Sequence, residues 1–248
     1  MLTTPDVAIV LGTYNRRSLL ERMMTSARRS VGGLSYRFIV CDGGSTDGTS
    51  PWLELQGDVH LLYGDLSGAV RAFNAGFAIA VDQGYQWTVV INDDDEFVGP
   101  EAEIRNAVKM LQADPEAGAV AFESDLRGRW AVESWQGMPY ANKGVIRLVA
   151  GISVARAQGD PTGRRWWTEE HATYASDTEQ GMWMHRLGWK ILTGVGLRVH
   201  DAEPQDALRA KNRNEYTTAN AFLQRWGQMD ACKYNRADAL RFGGIVRP

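Results

Sequence analysis

Val7-Ala8-Ile9-Val10-Leu11-Gly12-Thr13-Tyr14-Asn15-Arg16 is the stretch that decides the architecture. Five consecutive apolar residues, of which Val7, Ile9 and Val10 are β-branched, predict a strand covered on both faces, the situation of a central strand in a parallel sheet. Downstream, Ser18 stands three residues before Glu21 as a capping box. Leu19, Leu20, Met23, Met24 and Ala27 then form one apolar stripe that stops before Gly32-Gly33, which reads as a crossover helix. The pattern repeats. Tyr36-Arg37-Phe38-Ile39-Val40 and Val59-His60-Leu61-Leu62-Tyr63 read as strands, with a short helix opening at Ser50-Pro51 between them. Gly68 to Val81 is helical by the spacing of Val70, Phe73, Phe77 and Ala80/Val81, with Gly84 as its stop. Trp87-Thr88-Val89-Val90-Ile91 is a further strand, Glu101 to Leu111 a helix, and Ala119-Val120-Ala121-Phe122 a strand. Such alternation predicts an α/β fold: an open, mostly parallel, twisted sheet flanked by helices.

Composition bounds the class. The 248 residues are 44% hydrophobic and 23% charged, which excludes disordered, collagen-like and repeat chains. A chain of this length buries roughly 70–75% of its unfolded surface, enough for a large core. No run of 18 apolar residues occurs, and Met1-Leu2-Thr3-Thr4-Pro5-Asp6 lacks the features of a secretory signal, so no membrane span and a cytoplasmic location are expected. Cys41 and Cys232 are too few for a disulfide framework. The net charge of −3 gives no general attraction to nucleic acid, although residues 205–248 hold eight Lys/Arg against four Asp/Glu.

In open α/β sheets ligands bind beyond the carboxyl ends of the strands, so the residues there are the ones to inspect. Strand one is followed by Thr13-Tyr14-Asn15-Arg16, strand two by Asp42-Gly43-Gly44-Ser45-Thr46-Asp47-Gly48-Thr49, and strand four by Asn92-Asp93-Asp94-Asp95-Glu96. Neither a dinucleotide fingerprint nor an NTPase phosphate loop is present. Four consecutive acids after a buried strand repel one another, and a divalent cation is the simplest compensation; Mg2+ or Mn2+ suits an all-oxygen site.

Taken together, Thr13-Tyr14-Asn15-Arg16, the Asp42-to-Thr49 run, Arg71 with Asn74-Ala75-Gly76 and the acidic cluster resemble the family 2 glycosyltransferases of the GT-A fold. The resemblance implies an inverting enzyme that moves a sugar from a nucleoside-diphosphate sugar, most often a UDP-sugar, to an acceptor hydroxyl. It implies that Thr13, Tyr14, Asn15, Arg16, Asp42 and Gly43 serve the nucleotide and that Arg71 and Asn74 serve the diphosphate. The acidic cluster corresponds to the DXD motif; read as Asn92-x-Asp94, it makes Asp94 the metal ligand, with Asp93 beside the ribose or phosphates and Asp95 behind. Reading it as Asp93-x-Asp95 is the alternative. Residues 1–98 would form the nucleotide-sugar half, 99–204 the acceptor half of one domain, and 205–248 a helical extension, with a helix from Thr218 to Trp226 as a cap or homodimer contact.

Transfer by direct displacement needs a base for the acceptor proton. Ser176-Asp177 opening a helix that ends in Gly188-Trp189-Lys190-Ile191 resembles the family's Glu-Asp motif and nominates Asp177, with Glu169 and Glu170 as fallbacks. Ser176 stands where the family often has Glu, and Ser176-x-x-Glu179 also reads as a capping box. His200 resembles a late histidine that in part of the family approaches the metal or the diphosphate, and is the second candidate metal ligand. Trp166 and Trp167, downstream of Gly159, Pro161 and Gly163, read as a mobile acceptor loop that also contains Glu170. The acceptor is a glycan, a small molecule or, given the basic tail and paired tryptophans, a modified viral DNA base. A catalytically inactive nucleotide-sugar-binding module is the non-enzyme reading.

Overall fold

The computed structural model describes residues 6–65, 67–99, 102–125, 129–148, 165–170, 175–202, 204–214 and 226. Most of the 218–226 helix, the Gly159-Pro161-Gly163 segment and Cys232 lie outside these residues. The elements run β1 (Val7–Thr13), α1 (Arg17–Ser30), β2 (Tyr36–Asp42), α2 (Thr49–Glu54), β3 (Val59–Tyr63), α3 (Ala69–Asp82), β4 (Trp87–Val90) and β5 (Asp95–Phe97). They continue with α4 (Glu103–Ala113), β6 (Ala117–Ser124), β7 (Ser134–Trp135), β8 (Met138–Pro139), β9 (Gly144–Arg147), α5 (Ser176–Arg186), β10 (Lys190–Asp201) and α6 (Ala207–Asn214).

Eight strands form one sheet in the order β3-β2-β1-β4-β9-β6-β10-β5. β3, β2, β1 and β4 pair in parallel, β9 inserts antiparallel between β4 and β6, β10 is parallel to β6, and β5 is antiparallel to β10. β1 is central, and its unbroken apolar run is explained by its two covered faces. Val7, Ile9 and Leu11 join the core beneath α1 and α4, whereas Ala8 and Val10 join the core that includes Phe73 and Phe77 of α3. α3 approaches β1 closely: a Cβ on Gly76 would sit 2.4 Å from Val10 Cγ1, so only glycine fits there.

Two capping boxes expected from sequence do not form. Arg16, not Ser18, is the N-cap of α1, and Ala175, not Ser176, that of α5; neither makes a side-chain cap. Asp47 supplies the missing acceptor for α1 from the β2–α2 loop, taking the Arg17 N–H at 3.1 Å. Ser176 Oγ instead donates to the Thr168 carbonyl at 3.0 Å. Long-range partners outcompete the local motif because both helices begin at loops packed against other loops.

Candidate active site

A cleft of about 1600 Å3 crosses the carboxyl ends of β1, β2 and β4. One end is lined by Thr13, Tyr14, Gly43, Gly64 and Arg71, the other by Trp130, Glu133, Trp135, Tyr140 and Asp177. Asn92, Asp93, Asp94 and Asp201 lie along the cleft, joined by Arg209 and Lys211 of α6.

At the first end the loops after β1 and β2 are clamped together. Asn15 adopts a left-handed backbone (φ 51°), which asparagine tolerates, and donates its N–H to Ser45 Oγ at 2.9 Å while its Oδ1 accepts the Thr46 N–H at 2.7 Å. Asp42 is buried and holds its own loop: Oδ1 accepts the Ser45 N–H and Oγ at 3.1 and 2.5 Å, and Oδ2 accepts the Ser50 hydroxyl. Gly43, next in the chain, forms the wall of the cleft.

Arg16 is the hub of the acidic region. Its guanidinium donates to Asp93 Oδ1 at 2.9 Å, approaches Asp94 Oδ2 at 3.3 Å, and forks onto both oxygens of Asp206 at 2.7 and 3.0 Å. Burial works against its charge, but Asp206, Asp93 and Asp94 outweigh this and raise its pKa. Asp93, which also accepts the Thr13 hydroxyl at 2.8 Å, is pushed up to about 6 by burial, with Arg16 opposing. Asp94 is likewise raised by burial and by Asp201.

Asp201 faces Asp95 directly across the β10–β5 pair, an arrangement that is destabilising for like charges unless a cation intervenes. Lys143 is that cation. Buried, it lies 2.6 Å from Asp95 Oδ1 and 3.0 Å from Asp201 Oδ2; burial disfavours its charge, but the two carboxylates hold it protonated. Ligand oxygens of Asp94, Asp95 and Asp201 all lie within 4.8 Å of one another. Five carboxylates here (Asp93, Asp94, Asp95, Asp201, Asp206) meet three cations (Arg16, Lys143, Arg209), an excess of acid that burial answers by raising Asp93, Asp94 and Asp95, the last to about 7, and that a divalent ion would relieve. The donor set is all hard oxygen, and Asp94 and Asp201 open to the cleft, so the residues fit Mg2+ or Mn2+.

His200, expected near the metal, points to the opposite face of β10 from Asp201 and pairs through Nδ1 with Asp125. It lies outside the carboxylate group that can hold an ion.

Asn74 is buried and turned away from the cleft. Its Oδ1 accepts the Trp166 and Trp167 N–H groups at 3.0 and 2.9 Å, and its Nδ2 donates to the Trp167 carbonyl at 2.8 Å. Both indoles are core residues rather than parts of an exposed acceptor loop: Trp166 packs on Phe77 at 5.5 Å and Trp167 on Phe73 at 4.4 Å between centroids. Only Trp167 touches the cleft. Arg71, on the neighbouring face of α3, lines the cleft with its side chain 60% exposed and pairs with Glu169 at 3.6 Å. Glu169 also accepts from Asn74 at 3.3 Å, and Glu170, close by in sequence, donates its N–H to Thr168 Oγ1 at 3.4 Å.

At the far end, Asp177 stands in the first turn of α5, half-buried on the cleft wall. Burial, aided by the negative charge of Glu133, pushes its pKa up to about 6, with the Thr178 N–H opposing at 2.7 Å. Glu133 accepts the Tyr140 hydroxyl at 2.7 Å and the Asn142 amide. The β7–β8 hairpin turns through Gln136-Gly137, both at positive φ, and carries Trp135 into this wall. Ala175 precedes the helix in a left-handed conformation (φ 70°), a strained choice for alanine that sets the direction in which Asp177 emerges.

Asp201, Lys143, Glu133, Asp206 and Arg209 were not singled out by sequence. For Asp201 the signal lay one residue from His200, and for Asp206 and Arg209 in Asp206-Ala207-Leu208-Arg209, a capping acid three residues before a cation.

Comparison with known proteins agrees with this arrangement. A search of the curated proteins finds no match. Among solved structures, the mannosyltransferase PcManGT from Pyrobaculum calidifontis, in complex with GDP-Man and Mn2+, is similar at a TM-score of 0.64 and 19% identity, over 96% of this chain and 69% of that one. S. aureus TarS 1–349 is similar at 0.59 and 13% identity, over 90% of this chain and 74% of that one. Its complex with UDP is similar at 0.56 and 12% identity, over 91% and 72%. Among the described residues no helix is long and apolar enough to cross a membrane. Residues 8–144, over half of the sequence and including the strand ends that build the cleft, match glycosyl transferase family 2, and the chain therefore belongs to that family as a glycosyltransferase of GT-A fold.

Proposed function

We propose that this enzyme transfers a sugar from a nucleoside-diphosphate sugar to an acceptor hydroxyl with inversion, using a divalent cation at Asp94 and Asp201 and Asp177 as general base. The observation that carries this reading is that one cleft is lined both by a carboxylate cluster after β4 that could hold an ion and by Asp177, a carboxylate with a raised pKa. The complexes of the two neighbours with GDP-Man and with UDP support a nucleotide-sugar donor.

Thr13, Tyr14 and Gly43 bind the nucleoside, and Arg71 lies within the same cleft for the diphosphate. When bound, the cation neutralises charge that develops on the leaving diphosphate. Asp177 accepts the acceptor hydroxyl proton as that oxygen attacks the anomeric carbon; the bond from that carbon to the diphosphate oxygen breaks, and the nucleoside diphosphate leaves with the electron pair. Trp130, Trp135 and Tyr140 offer aromatic faces and a hydroxyl at the acceptor end, which suits a sugar ring.

The test is a thermal-shift panel of UDP, GDP, dTDP and CDP with and without Mn2+. A rise in Tm with one diphosphate that requires Mn2+ is expected, because a ligand of the folded state stabilises by mass action. No shift with any of the four would overturn the donor assignment. Release of free sugar from the matching donor in the absence of acceptor would exclude an inactive binding module.

A further inference from the structure

We propose that Trp226 is a positioning residue for the general base: its indole braces the back of α5 through Glu179 and so holds Asp177 at the cleft. This rests on the assignment of Asp177 as base.

α5 begins without a fastening of its own. Its N-cap is Ala175, in the left-handed region and with no side-chain cap, so the first turn has to be held by contacts from elsewhere. One is the Ser176 hydroxyl, which donates to the Thr168 carbonyl at 3.0 Å. Another comes from Trp226, whose Nε1–H donates to Glu179 Oε1 at 3.2 Å across 47 residues of chain. Glu179 is fully buried, and a carboxylate removed from water demands hydrogen-bond donors; an indole N–H is a donor only. Trp226 is itself 1% exposed, and its ring meets that of Trp183 edge-on at 5.0 Å between centroids.

Helical geometry puts these contacts on one side. Glu179 and Trp183 are four residues apart and share a face, so Trp226 grips two successive turns of α5. At about 100° per residue, Asp177 lies roughly 200° round the helix from Glu179, on the side that lines the cleft. Gly181, one turn beyond Asp177, meets Tyr140: a Cβ there would lie 2.4 Å from Tyr140 Cβ. Tyr140 is fixed in turn through its hydroxyl by Glu133 at 2.7 Å. α5 is therefore gripped from two sides, by Tyr140 in front and Trp226 behind, and the indole blocks retreat of the first turn from the cleft. A base must stand within hydrogen-bond reach of the proton it takes, so a small retreat is felt in turnover and not in nucleotide binding.

The experiment follows release of free sugar from the matching nucleotide sugar in Mn2+, with water as acceptor, in wild type, Trp226→Phe, Asp177→Asn and the double variant. Trp226→Phe keeps a ring against Trp183 and removes the N–H. kcat is expected to fall roughly 10–100-fold, the scale of a misplaced catalytic group, while KM for the donor and the calorimetric affinity for the diphosphate stay within about twofold. Added to Asp177→Asn, Trp226→Phe should cost nothing further, because it acts only through the base. Glu179→Gln weakens the same contact from the α5 side by removing its charge and should give a smaller loss of the same kind; it decides the question alone if Trp226→Phe does not fold. Unchanged kcat in folded Trp226→Phe, an equal loss of diphosphate affinity, or a further loss on top of Asp177→Asn would overturn the role of Trp226. If wild type releases no sugar, or Asp177→Asn releases it as fast, the reading of the site falls and Trp226 with it; if Asp177→Asn is slow and Trp226→Phe slows it again by the same factor, the role of Trp226 alone falls.

Discussion

The two ends of the cleft use the same residue type for opposite purposes. Burial raises the carboxylates at both, and the difference lies in what opposes it. At the donor end Arg16 and Lys143 oppose the burial of Asp93 and Asp95, which still rise to about 6 and about 7, and their ion pairs give the cluster a fixed shape. At the acceptor end the described partners of Asp177 and Glu133 are neutral donors, Thr178, Tyr140 and Asn142, and the charge of Glu133 makes Asp177 harder to ionise. A carboxylate ion-paired to fixed cations is held in place to share a metal; one whose described partners are neutral donors is left able to exchange a proton with a substrate.

The largest effect that would break this contrast is on turnover. Asp177→Asn should lower transfer by about 10²–10⁴-fold, the range for loss of a general base, with diphosphate affinity in Mn2+ unchanged within about twofold. Lost nucleotide binding would instead place Asp177 at the donor end. Next comes the metal: Asp201→Asn should weaken Mn2+-dependent nucleotide binding roughly 10–100-fold, whereas His200→Ala should leave it nearly unchanged. The reverse pattern would shift the ion to the other face of β10. Turnover should fall about tenfold per pH unit below a midpoint near 6, the value to which Asp177 is raised. Glu133→Gln removes the negative neighbour and should move that midpoint lower; an unmoved midpoint would dissociate Glu133 from the base.

The smallest effect is on stability and runs against function. Because the Asp177 pKa is higher in the folded chain than in the unfolded one, its ionised form costs stability that accrues as pH rises from about 4 through 6. Asp177→Asn should therefore raise Tm at pH 7 by on the order of 2–5 °C, and the gain should vanish below about pH 4. A lower Tm at pH 7 would mean that the carboxylate is held by structure rather than strained for catalysis.

Much of the fold is legible because β1, β2 and β4 carry unbroken apolar runs and their helices carry apolar stripes. β5 and β9 are not. Asp95-Glu96-Phe97 begins inside the acidic run and becomes a strand only because a register irregularity at 194–198 carries β10 past β6 to pair with it. β9 is four residues long, and Gly144 is required there because a Cβ would meet the Val120 carbonyl at 2.2 Å. At the site, Arg16, Asp94 and Asp177 sit in recognisable local patterns. Asp201, Lys143 and Arg209 arrive from far along the chain, and a one-residue step on β10 separates Asp201 from His200 and inverts which face is named. Trp166-Trp167 looks like a displayed pair beside glycines; the Asn74 amide and the Phe73 and Phe77 rings make it core.

β5 also closes the sheet. An edge strand offers unpaired backbone groups to any passing chain, and natural sheets discourage this with short, charged edges. Here the terminal strand is three residues long, and two of them are acids, one locked inward onto a lysine. The same run of aspartates that prepares the enzyme for a cation thus leaves that margin a poor template for intermolecular strand addition, so neutralising it by mutation should be watched for aggregation as well as for lost turnover.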